Sequence, residues 1–434
     1  MQHSAGRGRQ GASLLRRRRV SEAIEASKLQ PVTGWSWFVS GLGIGQICSW
    51  GALYYSFPLI AEAMGRDLGW SKSELYGAAT LGLLLAAAAS YPIGKAIDQG
   101  YGRIIMSAGS LVAGALFLAW SQVSALSIFF AIAAGLGALQ AALLYEPAFA
   151  VIARRNVGGA RGAITALTLW GGFASTVFVP LVQLLLDRYD WRGALIGLGL
   201  INLACAALYW LVIGIEKKGV TSSATASPPH HKDALREALS APVFWMLALA
   251  FTAHAGAFTA FTFHLYALLL ERGFSTQDIV FSMAVIGPAQ VAGRIAMSVF
   301  ARGASIRRIG SIVVLGFPIA FALLALAPTA LAVVAAVAAL YGASNGVLTI
   351  VRGLAVPEMI TTQGYGAING AMNTPATIAK ALAPLAGAAL WSTNQSYAPV
   401  LIAIMAGSLI LSFGFWAAAW VSTRRQGGSR HAEL

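Results

Sequence analysis

Residues 127–150 read SIFFAIAAGLGALQAALLYEPAFA, and the only charge in that stretch is Glu146. A helix needs about 20 predominantly apolar residues to cross the hydrocarbon core of a bilayer. The small residues spread through the run suit close packing of helices inside a membrane. No apolar run in the chain alternates with a period of two, so a β-barrel reading is not supported. This segment therefore predicts a transmembrane helix.

Eleven further segments read the same way. The full set is 35–62, 75–97, 104–121, 127–150, 163–186, 194–214, 243–268, 278–300, 309–327, 330–351, 366–390 and 398–421. Only 11% of the 434 residues are charged and 57% are hydrophobic, whereas a soluble protein carries roughly 25% charged residues. The long polar interruption at 215–241 divides the helices six and six. The expected fold is an all-α membrane protein of twelve transmembrane helices in two six-helix halves. The expected domains are a basic cytoplasmic tail 1–34, an N-terminal half 35–214, a cytoplasmic linker 215–241, a C-terminal half 242–422 and a cytoplasmic tail 423–434.

The net charge is +14, and its distribution argues for topology rather than nucleic-acid binding. With the N-terminus inside, 23 of the 30 Lys and Arg fall on the inner side, five on the outer side and two, Arg294 and Lys380, within helices. The positive-inside rule then puts both termini and the 215–241 linker in the cytoplasm. Trp70, Trp120, Trp191 and Trp391 fall at outer ends, where an aromatic belt would sit. The first 30 residues carry Arg16, Arg17, Arg18 and Arg19 but no apolar core before a cleavage site. That reads as a cytosolic tail rather than a signal peptide. Cys48 and Cys205 lie in apolar segments and form neither a disulfide framework nor a metal set. The expected location is a bacterial inner (plasma) membrane, multi-pass.

The halves echo one another. Tyr145, Arg154, Arg155 and the run from Arg161 to Ala166 recur as Tyr341, Arg352 and the run from Tyr365 to Gly370. Related halves are typical of transporters that place substrate between them near the midplane.

Between helices two and three stands Gly94-Lys95-Ala96-Ile97-Asp98-Gln99-Gly100-Tyr101-Gly102-Arg103, which resembles the signature loop of the major facilitator superfamily. Gln99 replaces the usual basic residue there, and the Gly–Arg pair falls one residue late. Further runs, Gly34-Trp35-Ser36-Trp37, Trp191-Arg192-Gly193-Ala194 and Gly293-Arg294, resemble the branch with monocarboxylate porters and the oxalate/formate antiporter. The resemblance implies an inner gating latch at Asp98 and Arg103. Leu59 stands where eukaryotic monocarboxylate porters have a Lys, and Gln290 where they have an acid. Arg294 and Lys380 match the helix-eight Arg and helix-eleven Lys of the antiporter.

Ionisable residues deep in a membrane helix are costly, about 2.5–3.5 kcal/mol each on insertion scales, so Glu146, Arg294 and Lys380 are functional candidates by default. Lys380 ends a one-faced stripe of Asn369, Asn373, Thr377 and Lys380. Helix eight offers Gln290, Arg294 and Ser298; helix ten Tyr341, Asn345 and Thr349; helix one Gln46, Trp50 and Tyr54. His254 is a further cavity donor. The competing readings are interhelical hydrogen-bond glue for the stripes, snorkelling for Arg294, and a structural ion pair between Lys380 and Glu146. Glu146 reads as a gating partner of Arg103 or Arg154, or as a proton-coupling carboxylate.

No nucleotide loop, nucleophile elbow or zinc motif is present, so the sequence predicts neither an enzyme nor a cofactor or metal. The expected function is secondary active transport of a small organic anion, a mono- or dicarboxylate, by alternating access. Its partners are the lipid bilayer and either protons or a counter-anion, with no nucleic acid, and the protein is expected to be monomeric. The alternatives are efflux of an amphipathic or cationic compound, and a transporter-like solute sensor.

Overall fold

The computed structural model describes residues 33–155, 160–214, 230–301, 303–326, 328–361 and 365–432. The tail 1–32 and most of the 215–241 linker lie outside the described residues. Regular structure among the described residues is entirely helical. Helix α1 joins Thr33–Trp50, a π-helical turn Gly51–Tyr55, and Phe57–Leu68. Then follow α2 (Lys72–Ala96), α3 (Gly102–Trp120), α4 (Leu126–Leu143 and Tyr145–Arg155), α5 (160–189) and α6 (191–213). The second half comprises α7 (Pro242–Glu271), α8 (Thr276–Phe300), α9 (Ile306–Leu326), α10 (Leu331–Met359), α11 (Tyr365–Asn394) and α12 (Ala398–Ala432). A short unlabelled helix, His230–Ser240, precedes α7 where the sequence suggested only a loop.

Nine helices among the described residues are long and apolar enough to cross a membrane, one of them the 52-residue stretch Gly162–Ile213. Asp190, at φ 63°, breaks that stretch into α5 and α6. Its Oδ1 accepts hydrogen bonds from the backbone N–H of Arg192 (2.7 Å) and of Gly193 (3.0 Å), so the residue that ends one helix caps the next. With α1 and α11 the rods number twelve.

The packing is repeated. In the first half α1 lies against α5 and α6, α2 against α4, and α3 against α6; in the second, α7 lies against α11 and α12, α8 against α10, and α9 against α12. Between the halves, α2 meets α11 and α5 meets α8. Advancing each helix by six places converts one contact into the other. Small residues set the approach: a Cβ on Gly137 would strike the backbone of Gly82, so α2 and α4 touch main chain to main chain.

Prolines shape the interior. A helical proline leaves the carbonyl four residues earlier without its N–H partner. Pro147 frees the Leu143 carbonyl, which accepts from Gln46 Nε2 at 2.8 Å. Pro288 frees that of Ala284, bonded by Thr176 Oγ1 at 2.9 Å. Pro318 frees that of Val314, bonded by Ser412 Oγ at 2.9 Å. Each acceptor is filled from another helix, as lipid requires.

One end of the bundle is closed between the halves. Tyr76 donates to the Phe263 carbonyl at 2.9 Å and Tyr266 to Gln183 Oε1 at 3.0 Å. Lys72, bonded to Glu62 Oε2 at 3.1 Å, sits over the rings of Trp391 and Tyr397. Trp70, Trp120, Trp191 and Trp391 are all at this end, but they do not form a lipid-facing belt. Trp120 and Trp191 are buried, their indole N–H groups directed at Met64 Sδ (3.3 Å) and Asp67 Oδ2 (2.9 Å). Depth follows from sequence; which way the ring faces is decided by packing.

Candidate functional site

Between the halves, away from the closed end, lies a cavity of about 420 Å³, within the size range of small-molecule sites. Its charged lining residues are Glu146 from α4, Arg352 from α10 and Lys380 from α11, with Gln140, Asn373 and Thr377 beside them. The kink at Leu144 (φ −82°, ψ −154°) turns α4 so that Glu146 is exposed to this space. Pro147 is the sequence cause of that kink, and Gln46 stabilises it.

Lys380 is the deepest of the three cations and acids. Its ammonium lies 5.8 Å from the ring centroid of Trp50 and 5.5 Å from that of Tyr54, and among the described residues it has no hydrogen-bond or ion-pair partner. The π-helical turn at Gly51–Tyr55 brings Tyr54 into this position; single π turns are frequent at functional sites. Trp50 Nε1 and the Tyr54 hydroxyl are buried without a hydrogen-bond partner. The charge is thus held by aromatic faces, and neither ring is itself part of the cavity lining.

The expected site residues separate into groups. Lys380, Asn373 and Glu146 line the cavity together. Arg294 does not: Nε donates to the Gly346 carbonyl at 3.1 Å, Nη1 to that of Thr168 at 2.8 Å, and Nη2 approaches Thr349 Oγ1 at 3.4 Å. Gln290 faces a small enclosed void of about 20 Å³ with Tyr55 and Tyr341. Asn345 is buried within α10. Gln46 is committed to Leu143. The His254 ring packs edge-on to Phe317, 4.8 Å between centroids, and is absent from the cavity lining.

Of the gating residues, Arg103 donates to the Trp210 carbonyl at 2.8 Å and lies 3.7 Å from the centroid of its ring. The Asp98 side chain lies outside the described residues. Gly100, two positions on, adopts φ 97°, a conformation open to glycine at no steric cost.

Sequence reading missed Arg352. The apolar run of helix ten stops at residue 351, which put Arg352 in an inner loop. In the structure α10 continues to Met359, and Arg352 Nη2 donates to Asn373 Oδ1 of α11. The signal was present, because Tyr341, Asn345, Thr349 and Arg352 continue one helical face.

Residues 42–384 match the Major Facilitator Superfamily. The chain belongs to that superfamily. Its members are transporters, and so this is a multi-pass membrane transporter and not an enzyme. Among curated members of the superfamily it is similar to monocarboxylate transporter 13 of Rattus norvegicus, 28% identical over 350 residues that cover 76% of this chain and 77% of the relative. The protein of the same name from Bos taurus is 28% identical over 402 residues, covering 88% and 89%. Monocarboxylate transporter 11 of Homo sapiens is 34% identical over a shorter 196 residues, 41% of this chain and 38% of the relative.

Solved structures agree on the superfamily fold. A bacterial homolog of the human lysosomal transporter Spinster, inward-facing and unoccupied, superposes with a TM-score of 0.65 at 14% identity, covering 91% of this chain and 98% of that one. The nucleoside transporter NupG gives a TM-score of 0.69 at 13% identity, covering 89% and 99%.

Proposed function

We propose that this chain is a secondary active transporter that carries a small organic anion, a mono- or dicarboxylate, by alternating access between its two halves. The observation that carries the reading is the Lys380 ammonium. It ends a cavity whose charged lining is two cations and one acid, and it is accompanied by the unpartnered Trp50 and Tyr54 donors. An anion in the cavity would complete the Lys380 ammonium with a charge-assisted hydrogen bond. The names of the curated relatives point the same way.

In this reading the protein sits in a bacterial inner membrane, as a monomer, with both termini and the 215–241 linker in the cytoplasm. The cavity then opens inward, and protons or a counter-anion provide the coupling. Asp98 and Arg103 act at the inner gate with Glu146. Arg294 enters the substrate site only in a state that releases the Thr168 and Gly346 carbonyls. Uptake of radiolabelled lactate and succinate into proteoliposomes tests the reading, with Lys380→Gln as the decisive variant. Loss of uptake supports it. Wild-type rates in Lys380→Gln, or transport of cationic amphiphiles in place of carboxylates, would reject it and favour efflux around Glu146.

A further inference from the structure

Two cations share the cavity, and they are held differently. Both lie over aromatic rings, Lys380 over Trp50 and Tyr54 and Arg352 over Phe251 at 5.8 Å, but only the Arg352 guanidinium is also oriented by a side-chain oxygen, that of Asn373, which leaves its other N–H groups for the cavity it lines. Asn373 and Lys380 are seven residues apart on α11, roughly 10 Å along the axis and about 20° around it. The guanidinium is thus tethered to α11 at Asn373 and the ammonium rooted seven residues further along, so the two cations are anchored at two levels of one cavity wall.

We propose that Arg352, positioned by Asn373, is a specificity-determining contact, and that with Lys380 it selects an extended dianion over a monoanion and over a compact dianion. The proposal rests on the carboxylate reading above and narrows it. A diacid of about four carbons, hydrogen-bonded at about 2.8 Å at each end, is extended enough to address two levels separated by helical rise. A monoacid satisfies one cation and leaves the other uncompensated. A two-carbon diacid carries both charges but cannot reach both levels. Among the described residues Glu146 is the one acid in the cavity lining; with it ionised the dianion complex has one excess negative charge, and a proton on its carboxyl restores neutrality.

Isothermal titration of the purified full chain with succinate, oxalate and lactate, at fixed ionic strength, tests this. A charge-assisted bond is worth about 1.5–3 kcal/mol, or roughly ten- to a hundredfold in affinity. Wild type should bind succinate at least about tenfold tighter than oxalate or lactate. Arg352→Gln should bring succinate down to the lactate level and leave lactate within about threefold, while Lys380→Gln weakens both. Equal succinate and lactate affinities in wild type, or an unchanged succinate-to-lactate ratio in Arg352→Gln, overturn the proposal but leave the carboxylate reading standing. If wild type binds none of the three, both fail. Should Arg352→Gln not fold, Arg352→Lys keeps the charge without the planar fork, and its succinate-to-lactate ratio must fall; an unchanged ratio overturns the proposal.

Discussion

Arg294 of α8 donates through Nη1 to the backbone carbonyl of Thr168 in α5, 2.8 Å away, so a cation of the second half is held by the main chain of the first. Its Nε is bonded to Gly346 of α10 at 3.1 Å. One planar fork thus spans three helices at the α5–α8 contact, which Thr176 also bridges, two turns further along α5, through the carbonyl freed by Pro288. Arg294→Gln should lower the unfolding free energy by about 1–3 kcal/mol, because buried carbonyls lose their donor. Arg294→Lys should not restore it, since a single ammonium cannot reproduce the fork. Thermal unfolding in detergent, read beside succinate titration, checks this. A weakened succinate Kd with unchanged melting would place Arg294 at the substrate instead.

Gln46 is expected to matter for shape rather than for substrate contact. Gln46→Leu leaves the Leu143 carbonyl buried beside Pro147 without a donor, a loss of about 1–3 kcal/mol. The α4 kink that exposes Glu146 should relax with it. Thermal unfolding should fall and transport should slow, with succinate Kd changed less than the rate. A Kd effect as large as that of Lys380→Gln would return Gln46 to the binding site.

These two residues show what the sequence could and could not disclose. The twelve rods were legible because bilayer thickness imposes a length on every crossing. Their ends are not always legible: an apolar run stops at its first charge, whereas α10 carries Arg352 and runs seven residues beyond it. Periodicity correctly grouped Gln290 with Arg294, and Asn373 with Lys380, on common faces. It could not say that the first face meets the α5 and α10 backbones and the second a cavity, because a stripe does not identify its neighbour. Pro147 was visible in the chain, but its partner Gln46 is 101 residues away and only the fold joins them.

The closed end should yield to a single hydroxyl. Tyr76→Phe removes the bond to the Phe263 carbonyl and keeps the ring contacts with Phe57 and His264. A bond of this kind contributes about 0.5–1.5 kcal/mol net, enough to move a two-state population by roughly two- to tenfold. Spin labels at Ser73 of α2 and Ser392 of α11, which both line the crevice at that end, should show a larger long-distance fraction in double electron–electron resonance. An unchanged distribution would mean that the bond is present equally in both states.

Glu146 separates coupling from architecture. It is exposed in the cavity that also holds Arg352 and Lys380, and no ion pair ties it to either among the described residues. A carboxyl so placed can take up a proton together with an anion, which keeps the charge of the loaded cavity near that of the empty one. Glu146→Gln preserves size and hydrogen-bonding capacity but cannot ionise. If Glu146 carries the coupling proton, this variant should still exchange internal for external labelled succinate across a liposome membrane. It should fail to accumulate succinate when a pH gradient is imposed, because the proton step is gone while binding and alternation remain. Loss of both exchange and accumulation would make Glu146 a gating residue, acting with Arg103 at the inner end. Retention of both would remove it from the transport cycle, and a net movement of cationic solute abolished by this substitution alone would establish the efflux reading instead.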